Sequence, residues 1–172
     1  MMEALTNWRE DRLVKKKGKF LYMNEKRVFI EGVRAPENTR IVDNYKKAAR
    51  SNEGAVLFAV FRGRNAEGSN FPYEEARGIF NVGLPYADYQ DPLVRAQIGY
   101  LNKKCPRLGA LWYIMDAFRE ANQAMGRGIR HVDDWCHFFL MDRRYRTHWK
   151  FVSKWAVKDG IEEIPLDLTR KA

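Results

Sequence analysis

The run Gly54-Ala-Val-Leu-Phe-Ala-Val-Phe61 has no charged, hydroxyl or amide side chain, and it constrains the fold more than any other stretch of the chain. A strand with one wet face alternates apolar and polar residues, because successive side chains point to opposite sides. An unbroken apolar run that opens on Gly and ends in a polar loop predicts a strand covered on both faces. Such a strand needs helices above and below it, and the flanking sequence offers them. Helices are predicted over Met2 to about Lys16, with Leu5, Trp8, Arg12 and Leu13 roughly in line, and over Pro36–Ser51, with Pro early and Gly54 beyond the end. Further helices are predicted over Pro92–Lys104, Ala110 to about Arg130, and Arg143–Lys158. Arg27–Glu31, Gly78–Pro85 and Trp135–Met141 have the look of short strands. With no repeat and no low-complexity linker, this alternation predicts one α/β domain over residues 1–160 and a polar tail over 161–172.

A chain of 172 residues is one ordinary domain, and its 45% hydrophobic content excludes wholesale disorder. No stretch approaches the roughly 18 apolar residues of a membrane span, and the N-terminus lacks a signal-peptide core. Lys and Arg number 31 against 22 Asp and Glu, a net charge of +9 that favours a polyanionic partner, nucleic acid first. The first 50 residues carry 13 basic and 7 acidic side chains, so most of the surplus sits there. Within them, Lys15-Lys16-Lys17-Gly18-Lys19 reads either as a solvated helix end or as an edge that contacts phosphates. Two cysteines, Cys105 and Cys136, are too few for a four-thiolate metal or iron–sulfur site. A cytoplasmic or nuclear compartment with reduced thiols is the expectation.

Two segments could carry chemistry. Gly63-Arg-Asn-Ala-Glu-Gly-Ser-Asn70 follows the apolar strand and has two glycines five residues apart, as a phosphate-binding P-loop does. Ser69-Asn70 then offers neither the required Lys nor the magnesium-binding hydroxyl, so a P-loop is rejected. An ordinary turn and a ligand-binding loop both remain, and the density of Arg62, Arg64, Asn65, Glu67 and Asn70 at the carboxyl end of a strand favours the loop. In the second segment, Phe118, Ala121, Met125, Ile129 and Val132 share one face of the predicted helix. Gln123, Arg127 and Arg130, spaced i, i+4 and i+7, share the opposite face. Gly126 and Gly128 inside a helix cost about 1 kcal/mol each relative to Ala, which suits a face that another surface must approach closely. Two arginines and an amide there could neutralise charge on a transferring phosphoryl group. His131, Cys136 and His137, even with Asp133 and Asp134, lack metal-site spacing, so no metal is expected. Glu74-Glu75 and Glu162-Glu163 read as exposed surface. Trp8, Tyr45, Trp112, Trp149 and Trp155 fit packed helix faces better than base stacking.

Phe61-Arg-Gly-Arg-Asn-Ala-Glu-Gly-Ser-Asn-Phe71 is similar to motif V of superfamily 2 DNA helicases of the XPD group. Gln123-Ala-Met-Gly-Arg-Gly-Ile-Arg-His-Val-Asp-Asp-Trp135 resembles motif VI of the same group. Val82-Gly-Leu-Pro-Tyr86, Asp142-Arg-Arg-Tyr145, Val28-Phe-Ile-Glu31 and Tyr45-Lys-Lys-Ala-Ala49 match further landmarks in order, over roughly residues 2–158. The resemblance implies a three-layer RecA-like α/β domain with a mostly parallel sheet flanked by helices. It would be the second motor domain of an ATP-dependent helicase that moves 5′ to 3′ on single-stranded DNA in repair and transcription. Walker A, the DEAH box, the iron–sulfur cluster and the arch belong to a first motor domain, so the chain resembles a C-terminal half.

By position, the resemblance implies that Gln123, Arg127 and Arg130 face ATP held with Mg2+ mainly by that partner, with one or both arginines as the arginine finger. Glu67, Gly68, Asn70 and Gly126 would belong to the ATP-coupling set, and Arg62, Arg64, Lys46 and Lys47 to a DNA-contacting set. Ser69-Asn70 departs from the family's apolar residue followed by Asp, and Arg64 replaces the usual Lys. Alone, the chain is expected to be inactive. The alternative is a stand-alone RecA-like module that binds nucleic acid or protein without hydrolysing ATP.

Overall fold

The computed structural model describes residues 14–157 and residue 162. The helix expected from Met2 falls largely outside them, as do Trp8 and Glu163. Where that helix was to end, Val14–Lys17 instead forms strand β1, which turns through Gly18 at φ 61° into β2, Phe20–Met23. Asn24 and Glu25, at φ 45° and 63°, make the next tight turn into β3, Lys26–Ile30. Two central residues at positive φ give a turn whose twist matches paired strands, so these 17 residues form an antiparallel meander that the lysine run concealed.

Helix α1, Ala35–Ala49, begins with Pro36 in its first turn and carries Lys46 and Lys47 in its last, both favourable placements for a helix. Strand β4, Ala55–Phe58, pairs parallel to β3, with Arg27 opposite Ala55 and Ile30 opposite Phe58. It is shorter than the apolar run and half-buried along its length, because Arg62 at φ 60° turns the chain away and leaves Val60 54% exposed. A one-turn helix α2, Arg64–Gly68, and a 3-10 turn at Tyr73–Glu75 lead to β5, Gly78–Val82.

Helix α3 spans Pro92–Lys104 as expected, since the Asp91 carboxylate accepts from the Leu93 amide at 2.7 Å and the Val94 amide at 3.3 Å. Helix α4, Leu108–Met125, crosses it closely. A Cβ on Gly109 would lie 2.5 Å from the Ile98 carbonyl, so no larger residue fits there. Strand β6, His137–Met141, is parallel to β5, and the expected last helix is broken into α5, Arg143–Thr147, and 3-10 turns at Trp149–Phe151 and Lys154–Val157. Among the described residues the strands form two sheets, β1-β2-β3-β4 and β5-β6. The α/β class stands, while the expected mostly parallel sheet consists of two parallel pairs extended by antiparallel β1 and β2.

Two apolar clusters hold these parts together. Phe29, Val42, Tyr45, Ala48, Phe71 and Ala76 pack α1 onto β3 and β4, with Tyr45 edge-on to Phe29 and Phe71 at 5.8 and 5.6 Å. Leu84, Phe118, Ala121, Met125, Tyr145 and Val152 pack α4 against the C-terminal elements. Phe118, Ala121 and Met125, expected on one helix face, are each 1% exposed, whereas Val132 lies beyond the helix and is 97% exposed. Truncating a ring as enclosed as Phe118 to Ala costs about 3–5 kcal/mol. Of the expected packing aromatics, Tyr45 is buried, Trp112 is half-buried, and Trp149 and Trp155 are exposed.

Candidate functional site

The carboxyl ends of β3 and β4 meet in a polar cluster. Glu31, just past β3, accepts from the Val60 amide at 2.7 Å and the Asn65 amide at 3.1 Å. Gly63 is required here, because a Cβ would stand 2.7 Å from the Val60 carbonyl and 2.9 Å from the Glu31 carboxylate. Asn65 and Asn38 exchange amide hydrogen bonds at 3.0 and 3.1 Å, and Ser69 Oγ donates to Asn65 Oδ1 at 3.0 Å. Buried amides this well paired rigidify a loop, since leaving either unpaired costs the full desolvation of that group. A carboxylate occupies loop amides that a P-loop would turn toward phosphate, which is the physical ground for rejecting one. Sequence reasoning missed Glu31 and Asn38. Their signal was a carboxylate ending an apolar strand and an amide in the first turn of the next helix.

The second segment is not helical where its arginines lie. Helix α4 stops at Met125 with Gly126 as its cap, so Gln123, Arg127 and Arg130 are not on one helix face. Gly128 serves the core instead of an approaching surface, because a Cβ there would sit 2.6 Å from Ile79 Cδ1 and 3.2 Å from Cys136 Sγ. Freed from the helix, Arg127 reaches back to α2. Its Nε donates to the Ala66 carbonyl at 2.9 Å, its Nη2 to the Glu67 carbonyl, and its Nη1 to Asn70 Oδ1 at 3.4 Å. A guanidinium thus supplies the partners that the last carbonyls of a helix lack. Arg130 donates through Nη2 to the same Asn70 oxygen. The Phe71 amide closes the junction on the Arg127 carbonyl at 2.9 Å. Burial, and then the neighbouring Arg130 charge, lower the proton affinity of the Arg127 guanidinium below its ordinary value, with Glu67 opposing. The two segments singled out in sequence are therefore one site, joined at Asn70.

Asp134 organises the loop behind the arginines. Its carboxylate, with no exposed side-chain surface, accepts from the Tyr73 amide at 3.0 Å, Arg77 Nη1 at 2.9 Å, the Trp135 amide at 2.9 Å and the Arg130 amide at 3.4 Å. Burial works against its ionisation, but these donors outweigh it and hold the carboxyl below the ordinary range. In the sequence it was weighed only as a metal-ligand candidate beside His131, Cys136 and His137.

The remaining candidates separate by what they touch. Arg62 donates to Asp116 at 2.5 Å and to the Pro85 carbonyl at 3.0 Å, tying the loop to α4. Lys46 donates to the Asn70 carbonyl at 2.7 Å and lies 3.2 Å from a Glu75 oxygen. Glu75, expected on the surface, is 1% exposed and paired with Arg50 as well, because the 3-10 turn folds it under α1, whereas Glu74 and Glu162 are exposed. Arg64, Lys47, Glu67 and Gln123 are exposed, no contact brings Lys47 or Gln123 to the Asn70 junction among the described residues, and Gly68 has open space where a Cβ would be. A Cβ on Gly126 would lie 3.9 Å from the Trp155 ring. Among the described residues no group of His, Cys, Asp and Glu could hold a metal ion, and no helix is long and apolar enough to cross a membrane.

With this geometry in place, comparison with known proteins is informative. The model of the helicase C-terminal domain family matches residues 1–159. The ATP-dependent DNA helicase chl-1 of Caenorhabditis elegans is 37% identical over 121 residues, 70% of this chain and 14% of the relative. The regulator of telomere elongation helicase 1 homolog of Drosophila melanogaster is 34% identical over 138 residues, 76% of this chain and 14% of the relative. The XPD helicase subunit of the general transcription and DNA repair factor IIH of Arabidopsis thaliana is 33% identical over 144 residues, 84% of this chain and 18% of the relative. The chain thus spans less than a fifth of the length of each of these relatives.

Proposed function

The chain belongs to the family of helicase C-terminal domains, and from that premise we propose that it is the second motor domain of an ATP-dependent, XPD-like DNA helicase. The observation that carries the proposal is the shared grip of Arg127 and Arg130 on Asn70, which joins the two helicase-like segments at the carboxyl edge of the sheet. A first motor domain would hold the ATP phosphates and the magnesium ion, for which the described residues here offer no ligand cluster.

The two arginines divide the work. Arg127 is committed to backbone carbonyls of α2 and acts as a positioning residue. Arg130 is exposed, and among the described residues its guanidinium holds one exchangeable partner, the Asn70 side-chain oxygen. It can swing from Asn70 to the γ-phosphate when the two domains close, placing positive charge where negative charge develops. Asn70, neutral where Asp is usual, competes less for that guanidinium. The same exchange links nucleotide state to α2, whose exposed Arg64, with Lys47 on α1, would meet the DNA backbone. Arg62 is a strut in this scheme. Translocation 5′ to 3′ and work in DNA repair in the nucleus or cytoplasm follow from the same proposal.

The test adds the first motor domain of such a helicase in trans and follows DNA-stimulated ATP hydrolysis. Wild-type chain restores turnover, and Arg130→Ala loses about a thousandfold or more, the usual worth of an arginine finger. Turnover by the chain alone, or restoration that ignores Arg130, overturns the proposal. No restoration together with retained DNA binding is the behaviour of a stand-alone module.

A further inference from the structure

The lysine run plays no part in the site above, yet it is not a loose helix end. Register places it on a ribbon. Lys15 lies opposite Tyr22 and Tyr22 opposite Arg27, while Lys17 lies opposite Phe20. Because facing residues share a side of a sheet, Lys15, Lys17 and Arg27 stand with Phe20 and Tyr22 on one face, and Lys16 is on the other. The cations are held on rings. Arg27 lies 3.6 Å above the Phe20 ring centroid and 4.9 Å from that of Phe29, Lys17 is 5.2 Å from Tyr22, and Lys19 is 5.4 Å from Phe20. Six basic side chains and one acidic fall between Lys15 and Arg27. Glu25, in the turn after β2, pairs with Lys17 at 2.7 Å, and Glu53 accepts from Tyr22 at 3.0 Å.

We infer that the β1–β2 ribbon is a second nucleic-acid-binding surface, which grips the sugar–phosphate backbone without reading bases. A cation already lies over each of the Phe20 and Tyr22 rings, so the rings act as platforms that hold charge in place. Lys15 and Lys17 leave one face from backbone positions about 6.8 Å apart, a span of the order of the charge spacing of a duplex strand, about 3.4 Å per phosphate measured along the helix axis. Since β2 runs antiparallel to β3, the Gly18–Lys19 turn lies at the carboxyl end of β3, the same end of the sheet that bears Glu31 and the 60–70 loop. The ribbon's turn thereby lies at the same end of the sheet as Arg64, the first residue of α2. Lysines on an edge strand also discourage strand-to-strand aggregation, but that role needs no cations stacked on rings. The inference rests on the nucleic-acid part of the proposed function and is independent of the ATP site.

The full chain is titrated by fluorescence anisotropy with oligo(dT) and with a mixed-sequence duplex across a salt series. Wild type is compared with Lys15→Gln/Lys17→Gln/Lys19→Gln, with Glu25→Gln and with Lys47→Gln/Arg64→Gln. The triple variant is expected to bind about tenfold or more weakly at low salt and to lose about 2 to 3 from the slope of log affinity against log salt. The larger loss identifies single strand or duplex as the backbone held. Glu25→Gln releases Lys17 and binds more tightly, which keeps the test decisive if the triple variant fails to fold. Unchanged slopes overturn the ribbon, and so does a triple variant that aggregates while binding as wild type does. Loss of polyglutamate binding with nucleic-acid binding intact would assign the surface to an acidic protein and equally overturn it. If only Lys47→Gln/Arg64→Gln weakens binding, the ribbon is refuted and the DNA proposal stands. If wild type binds neither nucleic acid at low salt, the DNA proposal itself has failed.

Discussion

Replacing Arg127 and Arg130 one at a time tests the proposed division into a structural and a mobile arginine without any catalytic assay. Arg127→Ala removes a part-buried hydrogen bond to Ala66, a second to Glu67 and a long one to Asn70. Charged donors are worth about 1.5 to 3 kcal/mol each when buried. Two of the three contacts here are exposed and screened, which reduces the total to roughly 2–3 kcal/mol. At about 2–4 °C per kcal/mol for a chain of this size, the melting temperature falls by roughly 5–10 °C. Arg130→Ala removes one exposed contact to Asn70, an effect of about 0.5 kcal/mol or 1–2 °C. Arg127→Lys keeps the charge but cannot reach two carbonyls in one plane, so it melts nearer to the Ala variant than to wild type. Thermal denaturation followed by circular dichroism reads all three. Equal shifts for Arg127→Ala and Arg130→Ala, or a stable Arg127→Ala, would refute the division of labour between the two residues.

Two further outcomes follow from the supporting residues. Gly63→Ala pushes a methyl group against the Val60 carbonyl and the Glu31 carboxylate, neither of which can retreat without breaking the loop. It is expected to cost about 1–3 kcal/mol, and urea unfolding within 0.5 kcal/mol of wild type, roughly the noise of a neutral surface change, would contradict it. Asp134 has a folded pKa below its unfolded value, so its contribution is fully present above the ordinary carboxylate range and is lost as pH falls through the folded value. The gap in melting temperature between wild type and Asp134→Asn should be widest near neutrality and narrow on acidification below about pH 4. A gap that is constant with pH would show that the charge of Asp134 does not matter.

The sequence alone determined the elements whose signals are local. Asp91 and Pro92 place the start of α3, and the motif-like segments at 61–71 and 123–135 identified the family before any coordinates. What it could not show is where local rules compete. Phe118, Ala121 and Met125 promised a helix running to Arg130, but Gly126 ends it, and Gly128 exists to admit Ile79 from β5. The lysine run looked like a solvated helix end because lysine spacing carries no record of strand register. Arg62 looked available to DNA until α4 brought Asp116 to within 2.5 Å. Sequence fixes which side chains bear charge and which turns are sterically open. Only tertiary structure decides which partner, tens of residues away, takes up each charge. That choice made Arg127 a cap, left Arg130 exposed on Asn70, and set a row of lysines along the edge of a sheet.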